Sequence, residues 1–151
     1  KAAKENVNLA NSAELAAAQQ SLLVEKYDIQ AEKLRQIRDE ERNSIEERKK
    51  ANDDLLKVLE EQEKAMLAQA DAQVASAQAE LNKNKSIENQ VALTEALANK
   101  QGVLAQIEGF RSEQKANDLA LDREEIELTN SKLESENQLS LERKRFKSEQ
   151  R

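Results

Sequence analysis

The stretch ELNKNKSIENQVALTEAL, residues 80–97, is where a chain otherwise composed for helix interrupts itself. No proline occurs anywhere, and glycine occurs only at Gly102 and Gly109, so the usual punctuation between secondary elements is missing. The interruption is polar instead. Asparagine competes for backbone hydrogen bonds and tolerates left-handed geometry, so Asn82–Asn84 can close one helix. Ser86 can cap the next by accepting from a first-turn amide, with Glu88 favouring the positive end of the dipole. The flanking arms, 45–81 and 87–123, are similar in length. The joint near 82–86 therefore either folds them into an antiparallel hairpin, preferred for an isolated chain, or jogs an extended multi-stranded bundle.

A second joint is written upstream, in RDEERNSIEERKKANDDLL from Arg38. Asn43 can close a helix and Ser44 can cap the next, with Glu47 three residues later completing a Ser-x-x-Glu capping box. A continuous helix that leaves Ser44 exposed remains open, because the neighbours are good helix formers. The expected fold is all-α, with helices near 3–42, 45–82 and 86–149 in units 1–43, 44–83 and 86–151.

Composition limits what such helices can build. Charged residues make up 36% and aromatic residues 2%, so the chain must bury a stripe and not a centre. Mean hydropathy is −0.89. Ala, Leu, Glu, Lys, Gln and Arg dominate without the Pro, Gly and Ser enrichment of disordered tails, which favours long helix over disorder. The net charge of −6 argues against a direct nucleic-acid site, since phosphate affinity needs concentrated cations. The basic phrases RKK at Arg48 and RKRFK at Arg143 lie among glutamates and read as solvated faces with intrahelical ion pairs. No apolar run approaches the roughly 20 residues that cross a bilayer. Cysteine and histidine are absent, which removes thiolate and imidazole nucleophiles, ligands and triads. No enzyme activity, cofactor or metal is expected.

The apolar pattern is a diluted heptad seam of coiled-coil type. In the first unit Leu9, Ala13, Ala16, Gln20, Leu23, Tyr27, Gln30, Leu34 and Ile37 alternate spacings of four and three, and Leu15, Leu22 and Ile29 form a second stripe beside them. Two stripes imply more than one neighbouring helix. The seam resumes at Ile45, Asn52, Leu55, Leu59, Gln62 and Met66, and continues through Ala70, Val74, Ala77 and Leu81 only if a four-residue stutter follows Met66. The alanine-rich AMLAQADAQVASAQAEL reads as a thin, closely packed helix. Leu93, Leu97, Leu104 and Ile107, then Leu119, Ile126 and Leu133, carry the stripe through the third unit. The expected self-association seam is Leu23, Leu34, Ile37, Leu55, Leu59, Leu104, Ile107, Ile126 and Leu133, in a homo-oligomer of three copies in preference to two. Gly102 and Gly109 lie on one helix face and suggest close helix contact or simple tolerance over a hinge. Weak internal echoes, FRSEQK with FKSEQR and Ser44-Ile45-Glu46 with Ser86-Ile87-Glu88, fit lengthening by duplication of helical units.

The phrase order LRQIRDEERNSIEERKKANDDLLKVLEEQEKAML, then ELNKNKSIENQVALTEALANKQGVLAQIEGFRSEQ, resembles central helical regions of tail length tape measure proteins from phages of Bacteroidetes-type hosts. The resemblance spans most of 34–150. It implies a virion protein in the tail lumen, assembled in the host cytoplasm, that sets tube length, contacts tail tube and tail assembly proteins, and leaves at DNA ejection. An uninterrupted helix of this length reaches about 225 Å, so such segments convert residue count into distance. Two other readings stand beside it. AQADAQVASAQAELNKNKS looks like the arm and tip of a periplasmic adaptor hairpin from an efflux or secretion system, without the β segments that flank those hairpins. A generic coiled-coil spacer needs no motif at all.

Overall fold

The computed structural model describes the backbone of residues 2–150 and the side chains of residues 15–150. It is all-α. Three helices follow one another, α1 (Ala2–Asp39), α2 (Ile45–Lys83) and α3 (Ile87–Glu149), and among the described residues there is no strand. Both joints expected from the sequence are real breaks.

The first joint ends α1 at Asp39, three residues before the expected limit at 42. Asn43 still closes the helix, but from a distance, its Nδ2 donating to Ile37 O at 3.0 Å. Arg48 Nε donates to Arg38 O at 2.7 Å, satisfying another of the carbonyls that a helix end leaves open. Ser44 caps α2 by accepting from Glu47 N at 3.1 Å. Only this half of the capping box forms among the described residues; Glu47 contributes its amide, and its carboxylate makes no return bond.

At the second joint, Ser86 Oγ accepts from Asn89 N at 3.1 Å. Asn84 closes α2 with extended backbone, φ −146° and ψ 112°, while its N–H donates to Glu80 O. The left-handed turn that the asparagines suggested is not used, since no described residue has positive φ. Asn89 replaces it. Its Nδ2 donates to Asn84 O at 2.8 Å and to Glu80 O at 3.2 Å, stitching the turn to the end of α2.

The helices run up, down and up, with α2 in the middle. Ser21 meets Gln69 and Asp28 meets Gln62, so α1 is antiparallel to α2. Gln73 meets Asn99, Glu63 meets Arg111 and Arg48 meets Glu124, so α3 is antiparallel to α2 along its other side. The hairpin alternative is the one adopted. Two covered sides explain why α2 carries most of the residues buried among those described, Ala51, Asn52, Leu55, Leu59, Gln62, Ala65, Met66 and Ala70. The stutter is visible there. Burial runs Met66, Ala70, then half-buried Val74, Ala77 and Leu81, all inside one unbroken helix.

Alanines at Ala31, Ala51 and Ala70 let the helices approach, and Leu55 and Leu59 fill the centre with Leu34, Val58 and Phe110 against it. Burying a leucine of this kind contributes about 2 kcal/mol. Towards the second joint the alanine-rich part of α2 is thin, but it is not closely packed. Ala16, Ala17, Ala72, Ala77, Ala92 and Ala96 instead line an open groove of about 680 Å³, because methyl groups are too short to close the space between three helices.

Candidate interaction surfaces

Of the expected seam, Leu55, Leu59 and Ile107 are buried within the single chain, and Leu23 and Leu34 are half-buried. Ile37, Leu104, Ile126 and Leu133 are exposed, by 41%, 39%, 60% and 52%. In α1 the inward face is centred on Ala31 and Arg38, one residue beyond the expected Gln30 and Ile37. Arg38 turns inward because acids wait for it there, which sends Ile37 outward. Leu9 and Ala13 lie outside the residues whose side chains are described. In α3 the inward positions are Leu93, Ala96, Lys100, Val103, Ile107, Phe110, Gln114, Asn117 and Leu121, a strict alternation of three and four. Leu97, Leu104, Leu119, Ile126 and Leu133 lie on the outer face. The paired stripes that pointed to three copies are thus met in large part by three helices of one chain.

Gly102 and Gly109 face open space, since a Cβ built at either position meets nothing within 4 Å. Close helix contact is not their role.

The covered interior is held by polar as well as apolar contacts. Arg38, 6% exposed, binds Asp39 through two hydrogen bonds of 2.8 and 3.1 Å and lies 3.5 Å from Glu113. The bond to Asp39, then its charge and that of Glu113, raise the Arg38 pKa against the opposing cost of burial. The same contact holds the Asp39 carboxyl below its ordinary range. Arg35 Nε donates to Glu113 Oε1 at 3.2 Å and its guanidinium sits 6.0 Å from the Phe110 ring centroid. At the start of α2, Arg48 pairs with Glu124 at 2.8 Å, and Lys49 with Glu125 at 3.0 Å and Asp122 at 3.2 Å. Glu125 first and Asp122 second raise the Lys49 pKa.

Three amides complete the interior. Gln62 Nε2 donates to Asp28 at 2.5 Å, Asn52 Nδ2 donates to Asp118, and Gln114 Nε2 donates to Asn52 O at 2.9 Å. Each leaves its own side-chain oxygen buried without a partner. Such groups cost stability, since each buried oxygen has given up its water without gaining a partner. Asn52 and Gln62 were visible in the heptads; Gln114 and Arg38 were not, because neither stands out from its charged neighbours.

Among the described residues no acidic cluster could hold a metal ion, and no helix is long and apolar enough to cross a membrane. The chain's surface offers stripes. One is Leu15, Leu22 and Ile29 on α1, exposed by 60%, 66% and 59%. Another is the outer face of α3. A third is the end of α3, where every residue from Ile126 to Gln150 is exposed. Comparison with known proteins gives no matching family model, curated relative or solved structure.

Proposed function

We propose that this chain is a noncatalytic helical spacer, a central segment of a phage tail length tape measure protein, whose product is axial extent. The observation that supports it most is the shape of the core, a narrow stripe of buried residues along helices of 38, 39 and 63 residues. In such a body dimension follows from helix length. α3 alone extends about 95 Å, against about 225 Å for the whole chain as one helix, so opening the two joints more than doubles the reach. The polar interior suits that change. Buried amides and ion pairs stabilise less than apolar packing of the same size and separate into water more readily. The reading carries with it a place in the tail lumen, contacts with tail tube and tail assembly proteins, and self-association through the exposed stripes, with two or three copies.

The test removes one heptad from each arm of the hairpin, 70–76 and 96–102, which face each other. Both helices then keep their stripes and their pairing. With the joints opened in the assembled tail, this deletion is expected to shorten it by about 21 Å, the extent of fourteen helical residues. Assembled virions with tails of unchanged length overturn the reading.

The tight turn at 84–86 favours a second reading, the periplasmic adaptor hairpin, in which the tip touches a partner. Replacing Asn84 and Lys85 by alanine abolishes assembly in that case and leaves tail length untouched in the first.

A further inference from the structure

We propose that residues 126–149 form a pairing arm whose partner is the same arm of a second copy of this chain, running antiparallel; this stands independently of the spacer reading. The face of α3 that covers α2 buries Ile107, Gln114 and Leu121, each 5% exposed or less. α2 begins at Ile45, and its ion pairs with α3 nearest that end are Arg48 with Glu124 and Lys49 with Glu125. Past that level the stripe goes on without a neighbour. Leu128 lies seven residues after Leu121, and Leu139 and Phe146 lie eleven and eighteen after Leu128, whole numbers of turns that keep them on one face. They are exposed by 50%, 54% and 61%. A polar helix of about 36 Å with no tertiary contact is marginal in water, so the continuing stripe needs a cover.

Charge identifies the cover. Residues 126–137 carry Glu127, Glu134 and Glu136 against Lys132, while residues 138–149 carry Arg143, Lys144, Arg145 and Lys147 against Glu142 and Glu149. The arm is acidic in its first half and basic in its second, and among the described residues none of these groups forms an ion pair within the chain. A parallel partner sets like charge on like. An antiparallel copy sets each acidic half on a basic one. One register also satisfies the seam. Leu128 faces Phe146 of the second copy, Lys132 faces its Glu142 and Ser135 faces its Leu139, and the two-fold axis repeats each pair.

The chain lacks cysteine, so introduced thiols report the geometry directly. Full-length chains carrying Leu128→Cys and Phe146→Cys are mixed and oxidised, with Leu133→Cys on the opposite face as control. The expected product is a disulfide dimer from the mixture, and none from either variant alone or from the control. In sedimentation equilibrium the chain is expected at twice its mass. Lys132→Glu or Glu142→Lys alone is expected to raise the dissociation constant about fivefold, and the double exchange to restore it. A mass of one or three chains at 100 μM or more, cross-linking of Phe146→Cys to itself, or single exchanges without effect overturns the proposal.

Discussion

Arg35 of α1 donates to Glu113 of α3 at 3.2 Å, joining two helices whose backbones are kept apart by the helix between them. Arg38 reaches the same carboxylate, 3.5 Å away. Glu113 therefore ties the first helix to the third while both pack on the second. Its replacement by alanine is expected to destabilise the fold by about 1 kcal/mol, the scale of a half-exposed pair, since Arg38 keeps Asp39. Urea unfolding measures it, and Glu113→Gln is expected to recover part of the loss.

Burial separates leucines that the heptads rank alike. Leu55 is fully buried and Leu22 is 66% exposed. Leu55→Ala is expected to cost about 2–5 kcal/mol and Leu22→Ala within about 0.5 kcal/mol of nothing, with thermal unfolding of the two variants as the comparison.

Much of the architecture was legible because the joints are written in local chemistry. Ser44 and Ser86 cap as their positions predict, and the seam of α2 reads correctly through its stutter, since Asn52, Leu55, Leu59, Gln62 and Met66 keep one alternation of three and four that the buried residues follow. The third helix reads poorly for the opposite reason. Leucines occur on both of its faces, so Leu119, Ile126 and Leu133 make as regular a series as the Ile107–Gln114–Leu121 line that α2 covers. Periodicity locates a stripe but does not say which stripe a neighbour takes, and here a buried glutamine lies in the covered one. Arg38 was hidden likewise, because its inward turn depends on Glu113, seventy-five residues away in sequence.

Glycine at Gly102 and Gly109 meets no structural requirement, lying within α3 with open space where a side chain belongs. Alanine at each is expected to stabilise the chain by about 0.5–1 kcal/mol, through the lower backbone entropy of its unfolded state. Higher melting temperatures for both single variants are the expected readout, and a lower one at either position marks a bend that α3 requires.

Acid is expected to weaken the first joint. The Asp39 carboxyl is held below its ordinary value of 3.8 by its hydrogen bond to Arg38. A carboxyl depressed on folding stabilises the fold above its unfolded pKa and loses that contribution as pH falls through its folded one. The loss thus begins near pH 4 and is complete only below the depressed value. Asp39 is largely exposed, so the effect stays under about 1 kcal/mol. Melting curves between pH 2 and 6 are expected to show a shallower acid slope for Asp39→Asn than for the parent.

Ser21 of α1 and Gln69 of α2 touch, Gln69 Nε2 donating to Ser21 Oγ at 3.1 Å, although forty-eight residues separate them. Spin labels on cysteines at these two positions, in chains diluted with unlabelled protein, measure directly whether the helices fold back on one another. The three-helix arrangement predicts a narrow distance distribution below about 20 Å; a distribution centred near 72 Å, the span of forty-eight residues in one continuous helix, contradicts it.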